Sequence, residues 1–311
     1  MKTAFIFPGQ GAQTVGMAKD IADALPDAAN LFETADKIAG FELSRICFEG
    51  PPEKLNTTAC SQPAIFVTSA AVLHAFRKTP AAENLQPDIT AGLSLGEYTA
   101  LYAAGLVAFE DALKLVIQRG RAMQDAAERN PGSMVSIIGL DRPTVVQLCE
   151  KAAQGELLRP VNFNCPGQIV VSGTIPACKR AEKLAPEFGA IKAVTLQVAG
   201  AFHTEMMTHA AKALTNALQH CKIEDPDRTK VIANISAEYY QNAHQIKQGL
   251  AKQLTNPILW QMSVEKLIAD GIEQFYEIGP GRVLTGLMKR INRKARITNL
   301  STLQALRQYT A

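Results

Sequence analysis

Residues 88–97 are Asp-Ile-Thr-Ala-Gly-Leu-Ser-Leu-Gly-Glu, and this stretch decides the fold. Its first six residues have the composition of a short buried strand, and the segment from Glu97 to Ala104 has that of a helix start. Between them, Gly92-Leu93-Ser94-Leu95-Gly96 matches the pattern G-x-S-x-G. In that setting the pattern is typical of a nucleophile elbow, where glycines permit a tight turn that lifts a serine hydroxyl to the top of a sheet. The stretch therefore predicts an α/β fold with Ser94 at the edge of the sheet.

The rest of the chain supplies strands and helices on both sides of this elbow. Ala4–Phe7 predicts a buried strand that leads into a glycine loop at 8–13. Further helices are predicted at 17–39, 62–78, 109–128, 242–255, 261–270 and 282–292, and further strands at 230–234 and 273–278. We therefore predict a large α/β-hydrolase-like domain with a parallel sheet, built from residues 1–128 and 199–311.

A smaller unit is predicted inside this domain, beginning near Asn130-Pro131-Gly132. The two strands around Cys165-Pro166-Gly167 predict a hairpin. The elements expected here are, in order, strand 133–139, helix 142–153, strands 159–165 and 168–173, helix 176–188 and strand 192–198. This order is typical of a ferredoxin-like fold. Residues 129–198 are therefore predicted to form an inserted small ferredoxin-like α+β domain.

Composition excludes several classes of protein. The chain has 311 residues, 47% of them hydrophobic and 20% charged, with a net charge of +3. These values are typical of a globular protein rather than a disordered or nucleic-acid-binding one. The apolar runs are short, and Pro8-Gly9 interrupts the first one, so we expect no signal peptide, no membrane partner and a cytoplasmic location. The six cysteines are scattered without metal-ligand spacing, which predicts free thiols and no metal site.

A serine nucleophile needs a general base, and His203 is the preferred candidate. It lies in Val198-Ala199-Gly200-Ala201-Phe202-His203, at the junction that follows the inserted unit. The other four histidines occur in patterned helical or polar stretches, where a surface position is expected: His74, His209, His220 and His244. No acid stands out as a third member of a triad.

Two more features bear on a reaction at Ser94. The backbone N–H of Leu95 is a candidate oxyanion donor, and the loop Pro8–Gln13 either supplies a second one or is a plain tight turn. On the helix 109–128, Arg119 and Arg121 face different sides. An arginine on an apolar face binds carboxylates well, although a solvated face is the interpretation that the sequence alone favours.

Five motifs occur in a fixed order, and together they carry a resemblance. They are Gly9-Gln10-Gly11, Gly-Leu-Ser-Leu-Gly-Glu-Tyr at 92–98, Gln-Arg-Gly-Arg-Ala-Met-Gln at 118–124, Gly-Ala-Phe-His at 200–203 and Glu-Ile-Gly-Pro-Gly at 277–281. From about residue 3 to about residue 292, the chain resembles the malonyl-CoA:acyl carrier protein transacylases of type II fatty acid synthesis. The inserted ferredoxin-like domain also matches that family.

The resemblance implies a ping-pong acyl transfer with no tightly bound cofactor. Ser94 would attack the thioester of malonyl-CoA with His203 as general base, coenzyme A would leave, and holo acyl carrier protein would then take the malonyl group. The backbone N–H groups of Gln10 and Leu95 would hold the oxyanion. The backbone carbonyl of Gln253 would orient His203 in place of an acid. A monomer is the family expectation.

The resemblance also assigns residues to the substrate pocket. Arg119 would pair with the free carboxylate of malonate. Phe202 resembles the malonyl-selecting form of its motif, Met123 would help to close the same pocket, and Gln62 and Asn164 would form its wall or lie directly behind it. Most members of the family have histidine where this chain has Leu93.

A basic cluster near the end of the chain is either a solvated face or a docking site for an acidic carrier protein. It comprises Lys289, Arg290, Arg293, Lys294 and Arg296, which we expect on the terminal helix. Three alternatives to a fatty acid transacylase remain: a discrete acyltransferase of a polyketide synthase, an acyl-carrier-protein hydrolase, and an idle binding subunit. Arg119 and Phe202 argue against the hydrolase, and the intact pair of Ser94 and His203 argues against the idle subunit.

Overall fold

The computed structural model describes residues 1–83 and 85–309. In that part of the chain the strands are β1 (Thr3–Phe7), β2 (Ile89–Gly92), β3 (Gly132–Ile138), β4 (Leu158–Cys165), β5 (Gln168–Thr174), β6 (Lys192–Thr195), β7 (Lys230–Val231), β8 (Gln274–Ile278) and β9 (Arg296–Leu300). The α-helices are α1 (Lys19–Ala24), α2 (Pro26–Ala39), α3 (Leu43–Glu49), α4 (Pro52–Leu55), α5 (Thr58–Arg77), α6 (Gly96–Ala103), α7 (Phe109–Arg129), α8 (Arg142–Ala153), α9 (Ile175–Leu184), α10 (Thr208–His220), α11 (Ala243–Gln253), α12 (Trp260–Ala269), α13 (Val283–Ile291) and α14 (Leu303–Gln308). Short 3-10 helices lie at Ala185–Phe188 and Glu205–Met207.

A parallel sheet forms the centre of the larger part of the molecule. Its strand order is β7-β2-β1-β8-β9, and every neighbouring pair is parallel. Along β1, Phe5 and Phe7 pack into one hydrophobic core, whereas Ala4 and Ile6 pack into a second core. Because successive side chains of a strand point to opposite faces, these two cores lie on the two sides of the sheet. A strand buried on both faces is typical of parallel sheets covered by helices.

A second, antiparallel sheet is formed by residues between Gly132 and Thr195. Its order is β4-β5-β3-β6, and it has its own core with α8 and α9, around residues such as Val135, Ile137 and Val171. The hairpin predicted around Cys165-Pro166-Gly167 is confirmed, because β4 and β5 pair on either side of it. The chain is therefore an α/β protein with one parallel and one separate antiparallel sheet.

Several predicted elements differ from the structure. The single helix expected at 17–39 is two helices, because Pro26 forces the preceding Leu25 into an extended conformation. The prediction missed α3, α4, α10, β9 and α14. The helix expected at 282–292 is therefore not the last one, and of the basic cluster only Lys289 and Arg290 lie on it. The last two residues of the predicted segment 199–311 lie outside the described residues.

The helix α5 and the cysteines are both part of the interior. Among the described residues, α5 is the one helix that is long and apolar enough to cross a membrane. However, 89% of its most apolar window is buried inside the protein. All six cysteines are free and buried, as the sequence predicts. Burial raises the pKa of Cys149 to about 12 and that of Cys178 to about 11.

The turn between β2 and α6 has no space for a β-carbon. A β-carbon on Gly92 would lie 2.0 Å from the carbonyl oxygen of Gly96, and one on Gly96 would lie 2.2 Å from that of Phe7. Both neighbours are backbone atoms at the centre of the fold, so neither can move aside alone. The glycines of the G-x-S-x-G pattern are thus required by the close approach of α6 to β1 and β2.

We expect Gly96→Ala to lower the free energy of unfolding by about 3 kcal/mol, because the added methyl group overpacks the backbone. Gly286→Ala is the matched control, since it lies within α13 and its β-carbon would meet nothing within 4 Å. That control should raise the free energy of unfolding by about 0.5–1 kcal/mol. Urea denaturation measures both, and equal effects of the two substitutions would contradict the interpretation of the turn.

Candidate active site

Ser94 lies in the turn between β2 and α6, in a strained conformation. Its φ is +51°, which lies in a backbone region that residues other than glycine rarely adopt. Asn234 holds the turn, because its Oδ1 accepts from the Ser94 N–H at 2.6 Å and its Nδ2 donates to the Gly92 carbonyl at 2.7 Å. Asn234 follows β7, the neighbour of β2, and therefore reaches the same edge of the sheet.

His203 is placed to accept a proton from Ser94. Its Nε2 lies 3.0 Å from the Ser94 Oγ, and its Nδ1 lies 2.7 Å from the backbone carbonyl oxygen of Gln253. Because a carbonyl only accepts hydrogen bonds, Nδ1 carries the proton and Nε2 presents its lone pair to the serine. Burial, reinforced by the charge of Arg119, lowers the pKa of His203 to about 4, against the opposing effect of the hydrogen bond that His203 donates to the Gln253 carbonyl. The imidazole is therefore neutral near pH 7 and ready to act as a base.

Arg119 lies beside this pair and is 1% exposed. Its Nη1 donates to Gln62 Oε1 at 2.6 Å, and its Nη2 donates to Gln253 Oε1 at 2.9 Å and to Ser94 Oγ at 3.0 Å. Burial lowers its pKa from the ordinary value. Among the described residues no carboxylate forms an ion pair with it. The site therefore presents a desolvated cation to an incoming anion.

The solvated helix face that the sequence alone favours is wrong for Arg119. The helix α7 turns Arg119 into the interior and Arg121 outward, where Arg121 donates to the Ala39 carbonyl at 3.0 Å. The periodicity of α7 assigns the two arginines to different faces, but it does not show which of these faces is buried.

Gln10 and Leu95, which come from different segments, line the same cleft as Ser94. A β-carbon on Gly9 would lie 2.3 Å from the Leu93 carbonyl oxygen, so the loop Pro8–Gln13 packs directly against the elbow. Neither the Gln10 nor the Leu95 amide donates to another residue in the described part of the chain. Amides in this position can stabilise an oxyanion that forms beside Ser94.

A cleft of about 320 Å³ opens over Ser94 between the two sheets. Of the predicted pocket residues, Phe202, Met123 and Gln62 line it, as do Gln10, Leu93, Leu95, Arg119 and His203. Asn162 lines the cleft, whereas Asn164 does not, so a place for Asn164 behind the wall stays a prediction. Two residues along β4 amount to about 6.6 Å, which takes Asn164 past the cleft toward the hairpin.

A buried carboxylate behind the serine was missed by the sequence analysis. Glu97 is 1% exposed and accepts hydrogen bonds from Tyr240 Oη and Gln253 Nε2, both at 2.6 Å. Burial raises the pKa of Glu97 to about 7, opposed by these hydrogen bonds and by the charge of Arg119. The only local signal was its place in the first turn of α6, directly after the G-x-S-x-G pattern.

The remaining chemistry-bearing groups are elsewhere. The other four histidines do not line the cleft. Among the described residues, no group of three or more His, Cys, Asp or Glu side chains could hold a metal ion. All five members of the basic cluster are exposed, and Arg290 donates to Gln168 Oε1 at 2.9 Å across to the hairpin of the antiparallel sheet.

Comparisons with known proteins agree along nearly the whole chain. Residues 4–306 match the family model described as the acyl transferase domain. The chain is 44% identical over 301 residues to the malonyl CoA-acyl carrier protein transacylase of Bacillus subtilis, covering 96% of this chain and 93% of that protein. It is 41% identical over 288 residues to the protein of the same name from Escherichia coli, covering 93% and 92%. Its fold is similar to that of a malonyl-transacylase in complex with a holo type II polyketide synthase acyl-carrier protein, with a TM-score of 0.94, 38% identity and 98% of each chain covered.

The pH dependence of Ser94 reactivity should follow His203. Because the neutral imidazole accepts the proton, the labelling rate with a fluorophosphonate probe should hold as pH falls through 6.5 and reach half its value near pH 4. Ser94→Ala is the control for site-specific labelling, and circular dichroism at each pH confirms that the protein is folded. A half-maximal rate near pH 6.5 would show that the pKa of His203 is not lowered.

Proposed function

The chain belongs to the acyl transferase domain family, and from that premise we propose that it transfers the malonyl group of malonyl-CoA to the phosphopantetheine thiol of an acyl carrier protein. The observation that carries this proposal is the buried guanidinium of Arg119, 3.0 Å from the Ser94 Oγ and held by neutral acceptors. A malonyl thioester differs from an acetyl thioester by a free carboxylate. That carboxylate can pair with the desolvated guanidinium of Arg119.

The first half of the reaction forms a malonyl ester on Ser94. The Ser94 Oγ attacks the thioester carbon, and its proton passes to His203 Nε2. The oxyanion is held by the amides of Gln10 and Leu95. The C–S bond then breaks, and the His203 imidazolium returns the proton to the thiolate of coenzyme A. The backbone carbonyl of Gln253 supports the positive charge that His203 carries between these steps.

The second half reverses these steps with a different thiol. The carrier's phosphopantetheine thiol gives its proton to His203, and its sulfur attacks the Ser94 ester. The ester C–O bond breaks, Ser94 recovers the proton from His203, and the malonyl group leaves on the carrier. The reaction needs no cofactor, and we predict no tightly bound one.

Selection among acyl groups rests on two kinds of contact. Gln62 and Gln253 fix the guanidinium of Arg119, so it meets a carboxylate without reorganising. Phe202 and Met123 line the same cleft and limit the space beside the α-carbon. A steric contact of that kind discriminates by about 1–3 kcal/mol.

The finer description of the fold belongs to the same proposal. The strand-turn-helix elbow supports an α/β-hydrolase-like catalytic domain of residues 1–128 and 199–311. The order β3-α8-β4-β5-α9-β6 supports a ferredoxin-like insertion at 129–198. We further predict a cytoplasmic monomer that binds neither nucleic acid nor membranes.

A polyketide carrier is the second candidate acceptor, because one structure of similar fold is a malonyl-transacylase bound to such a carrier. The same residues would serve either pathway, so the two differ in the carrier that accepts the malonyl group. A hydrolase would instead pass the malonyl group of Ser94 to water. Transfer to the carrier and loss to water are separated by the measurement that follows.

Intact-protein mass spectrometry tests the proposal. Malonyl-CoA should add one malonyl group to the wild-type protein, and holo acyl carrier protein should remove it. Arg119→Ala should lower kcat/KM for malonyl loading by about 100-fold, about 3 kcal/mol, because the carboxylate loses a buried charge partner. Arg121→Ala is the matched control on the same helix and should load malonate normally.

Two results would contradict this function. An adduct that decays to free malonate while the carrier stays unloaded would identify a hydrolase. An unchanged preference for malonyl over acetyl in Arg119→Ala would remove Arg119 from substrate recognition. Parallel assays with fatty acid and polyketide carriers identify the acceptor.

The basic cluster should act on the carrier and not on coenzyme A. Since acyl carrier proteins of this class are acidic, Lys289→Glu with Lys294→Glu should lower kcat/KM for the carrier by about tenfold and flatten its salt dependence. Loading from malonyl-CoA should be unaffected. Lys179→Glu with Lys183→Glu, an equal charge change on α9, is the control. Equal losses in the two double variants would contradict docking at the cluster.

A further inference from the structure

We propose that Glu97 is a positioning residue that fixes the orientation of the Gln253 side-chain amide and, through it, the position of Arg119. The inference deepens the proposed function, on which it rests, because it explains how the malonyl-selecting arginine is held. Glu97 lies behind the turn, three residues after Ser94, and does not line the cleft. It therefore acts through other residues rather than on the substrate.

The carboxylate of Glu97 is surrounded by hydrogen-bond donors from distant segments. Tyr240 donates to its Oε1, and Gln253 Nε2 donates to its Oε2. The Asn234 N–H also points to Oε2, at 3.4 Å. Gln253 separates Glu97 from Arg119, so the two buried ionisable groups are bridged by an amide instead of forming an ion pair. A buried charge is tolerated when donors satisfy it in this way.

The chemistry of an amide explains why this bridge has a direction. The two ends of a glutamine side chain have nearly the same shape, but one only accepts hydrogen bonds and the other only donates them. Tyr240 Oη and the Asn234 N–H both donate to Glu97, so its oxygens act as acceptors here. Gln253 Nε2 faces them as a third donor. That choice turns Gln253 Oε1 toward the guanidinium of Arg119, which donates to it at 2.9 Å. In the flipped amide, oxygen would face the carboxylate and NH2 would face the guanidinium.

The direction of this one amide affects Arg119 and the Ser94 backbone, and the backbone of the same residue contacts His203. Gln253 Nε2 also donates to the Ser94 carbonyl at 2.9 Å, and the Gln253 backbone carbonyl accepts from His203. Gln253 is fully buried, so no solvent competes for its amide. Without an acceptor at position 97, Gln253 Nε2 keeps only the Ser94 carbonyl as an acceptor, so the amide is held less firmly and Gln253 Oε1 is a less fixed acceptor for Arg119.

Substitutions at position 97 distinguish two properties of the side chain: whether its acceptor oxygen can contact Gln253, and whether it carries a charge. Glu97→Asp keeps the charge but withdraws the acceptor from Gln253, and Glu97→Met removes the acceptor at similar length. Glu97→Gln loses the charge, yet its side-chain oxygen can still face Gln253 Nε2 and the Asn234 N–H. Tyr240→Phe is the structural control, since it removes the other partner of Glu97 and leaves the Gln253 contact.

The readout is the ratio of kcat/KM for malonyl-CoA to that for acetyl-CoA in acylation of Ser94, with KM and the melting temperature measured for each variant. We expect Glu97→Asp and Glu97→Met to lower the ratio by about tenfold, mainly through a higher KM for malonyl-CoA. Glu97→Gln and Tyr240→Phe should stay within about threefold of wild type even where they melt earlier. In an Arg119→Ala background, Glu97→Asp should cause no further fall, because the effect passes through Arg119.

Other outcomes overturn the inference. A wild-type ratio in Glu97→Asp, or in Glu97→Met if only that variant folds, would show that the amide does not depend on this acceptor. A fall in Glu97→Gln as large as in Glu97→Asp would show that an acceptor oxygen within reach of Gln253 does not preserve the ratio, and an equal fall in Tyr240→Phe would assign the effect to general stability. If the wild-type protein itself forms no malonyl ester or shows no malonyl preference, the proposed function fails instead.

Discussion

The site depends on how closely the helix after Ser94 approaches the central strands. The contact between the Gly96 backbone and the Phe7 carbonyl leaves no room for a side chain at position 96. The turn that connects them puts Ser94 into the left-handed region. The loop at Gly9 packs on the same turn and brings Gln10 to the cleft. One steric constraint between backbones therefore sets the nucleophile and the segments of both proposed oxyanion donors.

The polar interior uses amides where an ion pair would be the simpler choice. If an acid were in contact with Arg119, it would satisfy the guanidinium and leave it little affinity for a substrate carboxylate. Gln62 and Gln253 instead supply oxygen acceptors without neutralising the charge. The buried acid of this network, Glu97, contacts Gln253 rather than Arg119. This spacing keeps the cation buried and hydrogen-bonded while its charge remains available in the cleft.

The sequence predicts the parts of this arrangement that are local. The elbow follows from a strand, two glycines and a helix within ten residues, and the hairpin at Gly167 follows from a turn between two apolar strands. The contacts of Asn234 and Tyr240 could not be predicted, because no motif marks them and their partners lie about 140 residues away. Their positions follow from β7 pairing with β2, which is a property of the whole sheet.

Periodicity has a similar limit. It assigns Arg119 and Arg121 to different faces, but burial depends on what packs opposite. The break in the helix at Pro26 had a local signal, the missing N–H and the restricted preceding residue, and was predictable.

The burial of all six cysteines bears on the fate of a group held on Ser94. Esters and thioesters exchange with nearby thiolates, yet none of these cysteines lines the cleft, and burial keeps Cys149 and Cys178 protonated. In the proposed reaction, no cysteine of the cleft would therefore compete for an acyl group on Ser94, and its lifetime would depend on water and on the thiol that arrives from outside.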